Sequence, residues 1–128
     1  MAAGLLVRRR AALSSLALAA SGIGIALQPT QAAKALGLTP TSERGTAETR
    51  IGLGGTFAGL GLWALLRRNP DVYRAVGATW LGAAATRLVT LQVDEPETDW
   101  TFWAYLLGEV TLGLAGISAW RRRQAVDG

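Results

Sequence analysis

Arg87 and Glu109 each lie inside a long apolar run, and Glu48 and Arg50 stand at the mouth of another. An ionisable group within such a run costs at least about 2.5–3.5 kcal/mol on membrane-insertion scales, so it turns inward and finds a partner. Two chemistries fit these residues. One is an ion-pair network that fixes how the helices register. The other is a polar site for a proton, a small solute or a lipid head group. A carboxylate beside a guanidinium stays charged, which argues against an easy proton relay through Glu109. Glu109 shares its helical face with Tyr105, Gly113 and Gly116, at offsets of minus four, plus four and plus seven. The carboxylate therefore belongs to the face of small residues on which helices pack.

Other chemistry is limited by what the chain lacks. There is no cysteine and no histidine. Disulfides, thiol catalysis, zinc sites built on sulfur or imidazole, haem ligation by these residues and a Ser-His triad are excluded. No catalytic, cofactor-binding or metal-binding residue is assigned, and no cofactor is implied. An enzyme acting on a lipid or quinone would have only the single carboxylate of Glu109 as acid or base. The net charge of +4 raises the question of nucleic acid, but the basic residues cluster beside apolar runs without interleaved aromatics. Gly52-x-Gly54 lacks the strand and phosphate-loop context of a nucleotide site.

The elements that must position these residues are four apolar stretches within a chain of 128 residues, enough for one domain. They run over about 11–27, 48–66, 72–93 and 101–120. At 1.5 Å per residue each crosses most of a bilayer core. A soluble bundle would show one apolar stripe and one charged face, whereas Ile51–Leu66 and Leu106–Trp120 have no charged residue on any face apart from Glu109. The expected fold is thus an all-α, four-helix transmembrane bundle.

Arginine and lysine orient it. Arg8–Arg10, the Arg67–Arg74 turn and Arg121–Arg123 hold nine of the thirteen basic residues, while Leu91–Trp100 has only Asp94, Glu95, Glu97 and Asp99. Positive flanks stay inside. Both termini are therefore expected to be cytoplasmic, in a multi-pass protein of the inner membrane. The competing reading, a secretory signal cleaved after Ala32, is disfavoured by the length of the run and by Pro29 at its end. Arg8–Arg10 and Arg121–Arg123 could attract anionic lipid, although topology alone accounts for them. Pro29 to Leu38 reads as a short interfacial helix. Trp63, Trp120, Tyr73, Trp100 and Trp103 fall at span ends as an interfacial belt; Trp80 lies deeper, between helices or facing lipid.

In lipid, helices associate by close backbone contact, so the glycines mark packing faces. Gly55 and Gly59 in the second span and Gly113 and Gly116 in the fourth are the candidates, for contact within the chain or with a second copy. Measured from the outer ends, Arg87 lies roughly 7 Å and Glu109 roughly 13 Å into their helices. A long arginine covers that difference. Glu48, Arg50, Arg87 and Glu109 are accordingly expected to converge in the outer half of the bundle.

Glu48-Thr49-Arg50 followed by Gly54-Gly55 and Gly59-x-Gly61, with Thr86-Arg87-Leu88, Asp94 and Glu109, resembles the bacterial family known as domain of unknown function 4345. The resemblance covers nearly the whole chain and implies a small four-helix membrane protein without an assigned activity. The run from Asp94 to Asp99 is longer than that family's compact loop. DoxX-like four-helix families share the general layout. The expected role is a non-enzymatic accessory subunit that binds a membrane partner or a second copy. The alternative is a small oligomeric transporter using Arg87 and Glu109.

Overall fold

The structure, a computed structural model, describes residues 1–127, with side chains as far as Ala119. It is all-α, with no strand among the described residues. The side chains of Trp120 and Arg121–Arg123, assigned above to the inner interface and the carboxyl-terminal flank, lie outside the described residues.

Local signals set the helix ends. Helix α1 (Ala2–Leu27) stops where Pro29 biases the preceding residue away from helical backbone. Helix α2 (Pro29–Ala35) ends in a Schellman motif. Gly37 takes φ 73°, its N–H reaches the Lys34 carbonyl at 3.0 Å, and the Leu38 N–H reaches that of Ala33 at 2.8 Å. Helix α3 (Glu43–Thr49) is capped by Ser42, whose hydroxyl accepts from the Gly45 N–H at 3.0 Å. A π-helical segment (Arg50–Gly55) carries the chain into α4 (Thr56–Arg67). Arg68 (φ 49°) turns it into α5 (Pro70–Val93), with Asn69 as cap and proline in the first turn. Helix α6 (Trp100–Asp127) starts on Asp99, whose carboxylate accepts from the N–H groups of Thr101 (3.0 Å) and Phe102 (3.1 Å). With the Thr101 hydroxyl as the larger cause and the Phe102 N–H next, these bonds hold the Asp99 carboxyl below the usual aspartate range.

The helices outrun the apolar stretches. Helix α1 begins at Ala2 rather than Ala11, so Arg8–Arg10 are helical, and the second long helix begins at Glu43. Arginine and glutamate are good helix formers, and hydropathy alone does not see them as such. Two helices are long and apolar enough to cross a membrane, α1 and the Trp100–Ala119 part of α6. Helix α5 has the length, but Arg74, Thr79, Thr86 and Arg87 dilute it, and the π segment divides the second apolar run.

The chain forms two compact units. One comprises Met1–Ser14 and the chain from Arg68 onward; the other is Ser15–Arg67. In the first, α5 and α6 form an antiparallel hairpin whose backbones touch through Gly77, Gly113 and Gly116. A Cβ on Gly77 would sit 2.8 Å from the Gly113 carbonyl, and one on Gly116 would sit 2.7 Å from the Gly77 Cα. Buried Ser14 donates to the Leu112 carbonyl at 2.7 Å, and the Trp80 indole donates to the Ser14 carbonyl at 3.3 Å. Trp80 thus packs between helices. Tyr73, expected at the interface, is buried instead. In the second unit, α1 and α4 run antiparallel, with Gly22 against the Ala58 backbone, Gly54 against Ala26 and Gly61 against Ala19.

Candidate functional site

Arg87 projects from α5 and Glu109 from the facing turn of α6, three turns beyond the Asp99 cap. Two parallel bonds join them: Arg87 Nε to Glu109 Oε2 at 2.9 Å and Nη2 to Oε1 at 2.6 Å. This side-by-side fork is the strongest geometry open to an arginine–carboxylate pair. The pair is largely withdrawn from solvent, the side chains being 22% and 11% exposed.

Helix α6 adds two rings on the same face. The Arg87 Cζ lies 5.2 Å from the Phe102 ring centroid and 5.4 Å from that of Tyr105. Both distances suit attraction between a cation and an aromatic face. Phe102, Tyr105 and Glu109 thus form one spine at offsets of three and seven residues, along which the guanidinium lies. The Thr90 hydroxyl, donating to the Arg87 carbonyl at 2.7 Å, braces the α5 backbone beside it. Phe102 was not among the residues expected here. The signal that could find it is its spacing of three and seven residues from Tyr105 and Glu109.

Glu48 and Arg50 make other contacts. Glu48 meets Arg44 at 3.7 Å, one helical turn away, with both side chains mostly exposed. Such a surface pair contributes little. Arg50 Nη1 donates at 2.8 Å to the carbonyl of Ala26, in the last turn of α1. That carbonyl loses its intrahelical donor at the Gln28–Pro29 break, and a cation at a helix carboxyl end also suits the dipole. Arg50 is therefore a cap on α1.

The glycines divide as well. Gly113 and Gly116 lie in the α5–α6 contact, whereas a Cβ at Gly55 or Gly59 would meet nothing within 4 Å. The close approaches to α1 fall instead on Gly54 of the π segment and Gly61 of α4. No three His, Cys, Asp or Glu side chains among the described residues are placed to hold a metal ion.

The family model described as Domain of unknown function (DUF4345) matches residues 7–119. The chain belongs to the DUF4345 family. No curated protein and no solved structure matches it. The stretch matched as DUF4345 holds the arginine triad, the Arg50 cap, the contact glycines of both units and the whole Arg87–Glu109 spine. It ends before Arg121–Arg123. What this DUF4345 chain builds around Arg87 is an ion pair with both carboxylate oxygens engaged, able to lock two helices.

Proposed function

We propose that the chain crosses the cytoplasmic membrane four times, with both termini inside, and serves as a non-enzymatic subunit that binds a membrane-protein partner. The four spans would be α1, the continuous helix of α3, the π segment and α4, then α5 and α6. Large apolar side chains point outward along these helices, among them Leu16, Ile23, Leu66, Val89, Leu107 and Leu114, which suits lipid contact. The arginine-rich and acidic flanks alternate as the positive-inside rule requires.

The observation that carries the partner-binding role is the split between glycines that touch and glycines that do not. Gly22, Gly54, Gly61, Gly77, Gly113 and Gly116 each meet a neighbouring helix inside a unit. Gly52, Gly55 and Gly59 have open space beyond them, in line with exposed Leu62, Trp63 and Leu66. That flat face is the one on which another transmembrane helix would pack. The transport alternative has weaker support, because the Arg87–Glu109 charges are spent on each other.

The test is purification of a tagged chain from its native membranes in mild detergent, with mass spectrometry of what accompanies it. A stoichiometric membrane protein that Gly59→Leu releases, while Gly24→Leu does not, is the expected result. Gly24 has equally open surroundings on α1 and serves as the control. A chain recovered alone would overturn the role.

A further inference from the structure

We propose that the amino-terminal arginine triad is a docking surface for anionic phospholipid head groups, on the protein's cytoplasmic side. The inference rests on the membrane-spanning reading above and adds the chemistry of the lipid.

Topology alone needs positive charge somewhere in the amino-terminal flank, and a solvated tail would supply it. The structure does something more specific. Helix α1 starts at Ala2, so Arg8, Arg9 and Arg10 are held on a rigid helix directly below its apolar run. Consecutive helical residues stand about 100° apart, so the three cations fan over about 200° of the circumference. All three are exposed, and none makes an ion pair or hydrogen bond among the described residues. Other arginines are engaged: Arg67 lies 5.2 Å over the Trp63 ring, Arg74 meets Asp71 at 3.9 Å, and Arg50 caps α1.

No internal acid waits for the triad nearby in sequence, since the first acidic residue is Glu43. On one side of the triad Ala11 is fully buried; on the other Leu5 and Leu6 are half exposed. The cations therefore sit between apolar neighbours, where phosphate groups lie at a bilayer surface. Each basic residue at an anionic surface contributes about 1 kcal/mol, or about fivefold in affinity. Three spread round one helix favour a charged lipid over a zwitterionic one whichever way the helix faces.

The reporter is Trp80, hydrogen-bonded to Ser14, one turn beyond Arg10. A full-length variant with Trp63, Trp100, Trp103 and Trp120 changed to Phe would be reconstituted into phosphatidylcholine vesicles. These would contain equal fractions of brominated phosphatidylglycerol or brominated phosphatidylcholine, and quenching of Trp80 would be read. The expected result is quenching by both, with apparent affinity for the anionic lipid higher by about fivefold or more, at least the share of one basic residue. That excess should vanish in molar salt and in Arg8→Gln/Arg9→Gln/Arg10→Gln, survive in the all-lysine triple variant, and resist millimolar inorganic phosphate. The salt series uses unaltered arginines, so it stands even if the glutamine variant inserts wrongly. Equal quenching by the two lipids would overturn the lipid preference alone. Loss of the excess to inorganic phosphate would mean a free-anion site instead. Quenching by neither would overturn the docking surface, because no lipid would then reach the neighbour of the triad, and the membrane reading falls if the exposed Trp103, kept as the lone tryptophan in a second variant, is also unquenched.

Discussion

Removing one half of the Arg87–Glu109 pair strands the other half as a charge among apolar side chains. Breaking such a pair typically costs about 3–5 kcal/mol, whereas replacing both partners with apolar groups is often nearly neutral. Arg87→Ala should therefore destabilise by about 3 kcal/mol in thermal or SDS-induced unfolding, and Arg87→Met/Glu109→Leu should recover most of that loss. Arg87→Lys keeps the charge but not the fork, and belongs in between. An Arg87→Ala chain as stable and as well inserted as the parent would end the idea that this pair fixes helix register. The pair was legible in the sequence because a charge inside an apolar run must answer to something. Phe102 was not, because an aromatic residue at a helix start reads as an interfacial anchor before it reads as a wall for a guanidinium. Arg50 was misplaced for a different reason. Its partner is a backbone carbonyl from another helix, and a carbonyl leaves no trace in residue type.

For the helices as elements, period and spacing gave the existence and order of the long ones, while the side on which each packs came only from the structure. Gly55 and Gly59 have the four-residue spacing of a contact motif, yet the π segment and α4 meet α1 through Gly54 and Gly61. A one-residue difference turns a helix by about 100°, and in a stretch with glycine on several faces composition cannot choose between them. The choice is testable. Gly116→Ala sets a methyl 2.7 Å from the Gly77 Cα and 2.8 Å from the Tyr73 carbonyl, backbone atoms that cannot step aside. Overpacking of this kind costs about 1–3 kcal/mol. Gly55→Ala, with open space beyond it, should melt as the parent does or slightly higher, since alanine favours the helix. Equal losses at the two positions would mean that the α5–α6 contact is looser than it looks. The start of α6 carries a pH signature. The Asp99 carboxyl titrates lower in the folded chain than the ordinary value of 3.8. Its contribution to holding α6 is therefore complete above that value, and fades as pH falls through the lower folded one. Asp99→Ala should remove this part of the acid sensitivity, seen as a flatter melting temperature between pH 5 and pH 2, estimated from the roughly 1–5 window over which such carboxylates act.

For the molecule as a whole, all-helical architecture and DUF4345 membership were both legible, the first from apolar stretches without strand alternation, the second from charged and glycine motifs held at fixed places. The division into two compact units was not. Helix α1 contributes to both: the boundary at Arg68 falls at a helix end that the basic turn marks, but the one at Ser14 falls inside α1, because a unit defined by packing need not end where a helix does. The basic and acidic flanks belong to the whole chain too, and they make its orientation testable. Because the chain has no cysteine, single introduced thiols report without background. Glu97→Cys, in the acidic connection before α6, should react in intact cells with a reagent that cannot cross the membrane. Ala3→Cys and Asp71→Cys, in the arginine-rich flanks, should react only after permeabilisation. Thr41→Cys, between α2 and α3, is the deciding position. If only α1 and α6 crossed the bilayer, with Glu43–Val93 lying outside it between them, Thr41 and Asp71 would share one side and label together. Four crossings separate them, with Thr41 outside and Asp71 inside, so one pair of labelling reactions distinguishes the two topologies.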